Sequence, residues 1–146
     1  MTCNRQWLLA SRPRGWVQES DFRLVESDVP APGDGQILVR VHYLSLDPYM
    51  RGRMDEGGSY APSQPLGEVM LGGTVGAVVE SRSPLFRAGD LVLGRGGWQQ
   101  FHLAEAAGLT RLDARGLPES VYLGPVGMPG VTAWYGLHQL GKPRAG

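Results

Sequence analysis

The segment ILVRVHYL at residues 37–44 is dense in β-branched and aromatic residues and predicts one long strand. Shorter runs of the same character recur at residues 5–11 (RQWLLAS), 21–27 (DFRLVES), 74–81 (TVGAVVES), 91–93, 98–103 and 109–113. Between them lie turn formers: RPRG at 12–15, VPAPGDG at 29–35, and the glycine run at 94–97, which suggests a barrel corner. Gly72, Gly73 and Gly76, at and just before the 74–81 strand, imply bends or close backbone approach. After Pro118 the period changes. Residues 118–126 predict a short helix and residues 131–140 (VTAWYGLHQL) a longer one, ended by Gly141 at C′ with Pro143 beyond.

The stretch that organises this pattern is SLDPYMRGRM, residues 45–54. Asp47 is suited to cap a helical turn and Pro48 to open it, where its missing N–H is not needed. Such a turn at the end of the long strand presents Tyr49, Met50 and Arg51 together, a set better suited to lining a pocket than to filling a core. The polar loop at 55–65 that follows is long for a compact domain, and Tyr60 is its single aromatic. The helix at 131–140 is apolar on most sides, so a cover from another domain or a partner is expected, with homodimerisation or self-association of this chain as one form of it.

Composition narrows the class. A chain of 146 residues is one ordinary domain. Gly and Pro make up 33 of those residues, close to a low-complexity composition, but they fall between apolar runs and act as punctuation of a mainly β fold with C-terminal helices. The 14 basic and 14 acidic residues balance without a basic block, which argues against a nucleic-acid partner. Cys3 is the only cysteine, so no internal disulfide can form and no cysteine cluster can hold a structural zinc, as suits a reducing cytoplasm. The apolar run at 7–10 is too short for a signal peptide or a membrane span. His42, His102 and His138 lack ligand spacing, so no metal is expected.

Four segments carry a family resemblance: ASRPRG at 10–15, LSLDPYMRGRM at 44–54, LGEVMLGGTVGAVVESR at 66–82 and YLGPVGMPGVTAWYGL at 122–137. With GDLV at 89–92 and GWQ at 97–99, they span nearly the whole chain. It resembles the N-terminal, GroES-like catalytic domain of the medium-chain dehydrogenase/reductase superfamily. Within that superfamily it is similar to the zinc-independent branch of leukotriene B4 dehydrogenase, prostaglandin reductase and curcumin reductase.

The resemblance implies a partly open β-barrel and, in the complete enzyme, NADPH-dependent reduction of the C=C bond of enones, enals or quinones. Hydride delivery to the β-carbon leaves an enolate, whose oxygen needs a hydrogen-bond donor. Zinc-dependent relatives have a cysteine near the position of Asp47 and a Gly-His-Glu where this chain has Gly67-Glu68. No G-x-G-x-x-G follows a strand here, so the Rossmann domain is expected to lie outside this chain and residues 1–146 to form the substrate-side domain alone.

By resemblance, Tyr49 and Tyr60 are the catalytic candidates, with Tyr60 also touching substrate; the alternatives are an aromatic packed at the barrel mouth and a loop anchor. Arg51 and Arg53 could meet a substrate carboxylate or a cofactor phosphate, or pair with Asp47 or Glu68. Gly94 and Arg95 stand where relatives contact substrate, and a glycine there leaves room for a bulky ligand. Met50, Met128 and Thr132 are candidates for the cofactor side, the last two at a helix start whose free N–H groups and hydroxyl could meet a carboxamide. Otherwise Met128 fills core and Thr132 bonds back to its own helix. Trp98 is expected in the core and His138 as a satisfied packing residue. A second reading is a stand-alone GroES-like binding or assembly module without redox chemistry.

Overall fold

The computed structural model describes residues 3–57, 61–113 and 116–144. Seven strands dominate it: β1 (Cys3–Leu9), β2 (Phe22–Asp28), β3 (Gln36–Leu44), β4 (Thr74–Ser81), β5 (Leu91–Gly94), β6 (Phe101–Glu105) and β7 (Thr110–Arg111). The helices are short: α1 (Tyr49–Arg53) follows β3, and α2 (Met128–Tyr135) lies near the C-terminal end. β1 and β2 form an antiparallel hairpin, and the other strands form a sheet in the order β6-β3-β4-β5-β7.

The hairpin is joined to the sheet through residues 98–100. The Trp7 amide donates to the Trp98 carbonyl at 2.9 Å, the Gln100 amide to Arg5 at 3.1 Å, and the Val41 amide to Gln100 at 2.8 Å. The result is a partly open barrel with two apolar centres. One packs Ile37, Val39, Val78, Phe86 and Val92 between the strands. The other packs Leu9, Met54 and Met70 under Phe22 and Trp98, which puts Trp98 where the sequence predicts it.

Glycines decide where strands approach. A methyl group at Gly76 would lie 2.2 Å from the Arg40 carbonyl oxygen, so only glycine lets β4 come this close to β3. Beside that contact the register shifts: Val41 pairs with Gly76 and Tyr43 with Val75, leaving His42 as the extra residue of a β-bulge. Gly97, at φ +74°, turns the chain from β5 toward β6, and a side chain there would meet the Met70 carbonyl at 2.6 Å.

Several expected boundaries move. The first strand ends at Leu9 because the Ala10 and Ser11 amides turn to the Asp21 carbonyl. The strand expected at 98–103 begins at Phe101, since residues 98–100 bond to β1 and β3 instead. Asp47 makes no cap bond: Pro48 itself is the N-cap, and the Met50 amide bonds to the Asp47 main-chain carbonyl at 3.0 Å. The short helix expected at 118–126 is a 3-10 helix, Glu119–Leu123, closed off by Gly124. The longer helix starts earlier than expected, at Met128, because Pro129 is tolerated in a first turn. It then widens into a π-helical turn, Gly136–Gly141, and the left-handed residue that ends it is Lys142 (φ 44°), not Gly141.

Two polar groups, one half-buried and one buried, fasten the irregular segments. Arg12 Nη1 donates to the carbonyls of Met54 and Gln64, both at 2.8 Å, and so ties the two ends of the loop at 55–63. Asp21 accepts from the Ser11 hydroxyl and the Gln18 amide, each at 2.8 Å, holding the turn between β1 and β2. These bonds, the Gln18 amide foremost, hold the Asp21 carboxyl below its ordinary value of 3.8. A depressed carboxylate contributes stability that is complete above its unfolded value and is lost as pH falls through the folded one. In urea unfolding, Asp21→Asn is therefore expected to lower the midpoint at neutral pH and to flatten the acid limb below pH 3.8, where the native chain loses stability; parallel acid limbs would refute this.

Candidate active-site cleft

A cleft of about 340 Å³ opens at the end of β3. One wall comes from the strands and the turn after β3: Ser45, Asp47, Tyr49, Leu93, Gly94 and Arg95. The facing wall comes from the C-terminal segment, with Tyr122 and Leu123 on the 3-10 helix and Met128 and Pro129 at the start of α2. Ser45 is placed by its amide bond to the Gly73 carbonyl at 2.9 Å.

The turn after β3 divides its three candidates. Tyr49 lines the cleft. Met50 turns the other way and is 4% exposed, packed under Gly72, so it belongs to the core and does not border the cleft. Arg51 turns to the loop at 13–15, donating to the Gly15 carbonyl at 3.0 Å, and pairs with Asp55 at 2.7 Å. Its partner is thus neither Asp47 nor Glu68, and it is not among the cleft-lining residues. Arg53 donates to the Pro62 carbonyl at 2.9 Å. Tyr60 lies outside the described residues.

Gly94 and Arg95 both border the cleft. The missing side chain at Gly94 makes room for a protein group: a methyl there would lie 2.3 Å from Leu109 Cδ2. Met128 and Pro129 reach the cleft, but Thr132 does not, and its hydroxyl donates back to the Met128 carbonyl at 2.8 Å. The amides of Gly130 and Val131 already donate to Gly124 and Gly127, and Pro129 has none, so this helix start offers few free donors. It serves the cleft as an apolar surface. Tyr122, Leu123 and Asp47 were not singled out by sequence as cleft residues; a tyrosine and leucine just before Gly124-Pro125, where a helix cannot continue, were the available signal.

The histidines have separate surroundings. His42 pairs with Glu119 at 2.7 Å. Burial holds His102 below its ordinary value of 6.5, and it is therefore neutral at neutral pH. His138 packs against Trp134, with ring centroids 5.3 Å apart, on the exposed side of its helix. Among the described residues no three His, Cys, Asp or Glu side chains gather to hold a metal ion.

Residues 5–112 match the family model described as the N-terminal domain of oxidoreductase. The chain belongs to that family. This oxidoreductase N-terminal domain is 50% identical over 143 residues to NADPH-dependent curcumin reductase of Escherichia coli, covering 98% of this chain and 41% of that protein. It is 37% identical over 149 residues to a 2-alkenal reductase (NADP(+)-dependent) of Nicotiana tabacum, covering 98% of this chain and 43% of the relative. The crystal structure of CurA in complex with NADPH from Vibrio vulnificus superposes with a TM-score of 0.88 at 44% identity, covering 97% of this chain and 42% of that one. The oxidoreductase domain thus spans about two fifths of the length of these relatives and has the GroES-like fold of the medium-chain dehydrogenase/reductase superfamily.

The C-terminal wall owes its shape to two glycines. A methyl at Gly127 would lie 2.1 Å from the Tyr122 carbonyl oxygen, and one at Gly130 would lie 1.8 Å from that of Pro125. Gly127→Ala is expected to separate Met128 and Pro129 from Tyr122 and to destabilise the chain by about 1–3 kcal/mol, the usual cost of overpacking. Chemical denaturation measures it, and an unchanged midpoint would show that the wall can yield.

Proposed function

We propose that this domain is the substrate-side half of an NADPH-dependent reductase that saturates the C=C bond of α,β-unsaturated carbonyl compounds. The observation that carries the proposal is the cleft itself. A phenol, Tyr49, stands on one wall and the apolar start of α2 faces it from the other, in a chain half identical to a curcumin reductase.

Leu93, Leu123, Met128 and Pro129 give the cleft flat apolar surface of the kind that a nicotinamide ring packs against. The glycine run at 94–97 leads from β5 toward β6 and opens no helix, so it does not suit a pyrophosphate. We therefore assign the ring side of the cofactor to this chain and its phosphates to a nucleotide-binding domain of the complete enzyme. Bound there, NADPH supplies the hydride. Tyr49 donates a hydrogen bond to the substrate carbonyl oxygen, where negative charge develops, and Met128 and Pro129 keep water from the ring. Tyr60 remains a candidate for substrate contact, and Arg95 is the cation at the cleft available to an acidic substrate. The single cysteine and the described helices, none long and apolar enough to cross a membrane, are compatible with a cytoplasmic enzyme.

In the complete enzyme, 2-alkenals or enones are expected to be reduced with NADPH oxidation, and Tyr49→Phe is expected to lower kcat by at least about tenfold, in line with loss of one oxyanion donor. The 146-residue chain alone is expected to show no turnover. Wild-type rates in the Phe variant would remove Tyr49 from the chemistry, and turnover by the isolated chain would refute the division of labour.

Met128, Val131, Trp134, Tyr135, Leu137 and Leu140 are all exposed, leaving an apolar face on α2 and the turn after it. We propose that the isolated chain self-associates through this face. Light scattering is expected to give a mass above 15.8 kDa that rises with concentration; a strict monomer at high concentration would refute it.

A further inference from the structure

Among the described residues, segment 116–144 makes no backbone hydrogen bond to residues 3–113, although it supplies a whole wall of the cleft. Leu123 packs over Gly73, and the Tyr122 hydroxyl donates to the Asp113 carbonyl, just beyond β7. The tie that reaches the strand leading into Ser45, Asp47 and Tyr49 is the contact between His42 Nδ1 and Glu119 Oε2 at 2.7 Å. His42 is free for it because it is the extra residue of the β3 bulge, a device that re-aims a side chain.

The far end of the pair moves as a unit. The Val126 amide bonds to the Val121 carbonyl, those of Gly127 and Gly130 to Gly124, and that of Val131 to Gly127. With the close approaches at Gly127 and Gly130, these bonds weld the 3-10 helix to the start of α2. A displacement of Glu119 is therefore carried to Tyr122, Leu123, Met128 and Pro129 together.

We infer that His42 and Glu119 are positioning residues for the reaction proposed above, the 2.7 Å contact between their side chains holding the C-terminal wall at the separation from Tyr49 that hydride transfer requires. The inference rests on that functional reading. The two side chains are about one-third exposed, 34% and 32%, so the pair contributes little to global stability. Its effect is local and bounded: loss of the pair slows the chemical step by about fivefold at most, equivalent to about 1 kcal/mol.

The test uses the complete enzyme with Glu119→Leu, His42→Leu, the double variant and His42→Lys, which restores a donor opposite Glu119. Each single variant is expected to lower kcat about three- to fivefold with KM for NADPH unchanged. The double variant is expected to be no slower than either single one, and His42→Lys to recover most of the rate. Amide exchange at Val121, Gly124 and Val126 is expected to quicken in the two broken-pair variants and to slow again in the lysine variant. Rate losses that multiply in the double variant, or exchange unchanged in both singles, would overturn the assignment. A wild-type enzyme that reduces no enone would overturn the functional reading instead, and the exchange measurement would still decide whether the clasp exists.

Discussion

The approach of the Gly76 backbone to the Arg40 carbonyl is the contact on which the cleft depends. Any side chain at Gly76 would drive β4 away from β3, since a methyl there would sit 2.2 Å from that oxygen. Because the strands meet so closely, β3 bulges by one residue at His42, and the three residues after it, Tyr43 to Ser45, run beside Gly73, Thr74 and Val75. The chain then leaves the sheet at Asp47 and turns into α1, with Tyr49 on the open side. A strand without that glycine would keep simple alternation and aim the turn elsewhere.

The remaining architecture is arranged to keep that turn rigid from beneath. Met50 and Met54 are both buried, so α1 is anchored by one thioether of its own and by that of the residue that ends it. Arg51 and Arg12 extend from opposite sides and bond to carbonyls of the loop at 13–15 and of Met54 and Gln64. Charged donors spent on backbone acceptors fix the loops that frame the cleft, while the cleft keeps a phenol, apolar surface and few charges. A site that must stabilise developing charge gains from such surroundings, because a hydrogen bond acts more strongly where competing dipoles are few.

Much of this was legible in the residues. The span Thr74–Ser81 appears as expected, and the others shift by one to three residues, because β-branched runs between turn formers leave little choice of element. The turn chemistry was legible only in part. That Asp-Pro opens a helical turn could be read, but which of Tyr49, Met50 and Arg51 faces the ligand depends on the bulge upstream, which spacing alone does not reveal. The C-terminal elements departed furthest. Glycines at 124, 127, 130 and 136 permit 3-10, α and π geometry in succession, and the choice is made by contacts such as those at Tyr122 and Pro125. Thr132 resolved toward its own helix because a β-branched hydroxyl reaches the carbonyl four residues back more readily than a ligand.

Trp98 stacks on Phe22 with ring centroids 5.3 Å apart, and its indole nitrogen is buried with no acceptor among the described residues. Trp7, Trp16 and Trp134 are exposed, Trp16 at 90%. The domain thus holds one partly buried indole and three exposed ones. Excitation at the red edge would select the exposed three, and the blue side of the emission band would report the packing beneath α1 without any label.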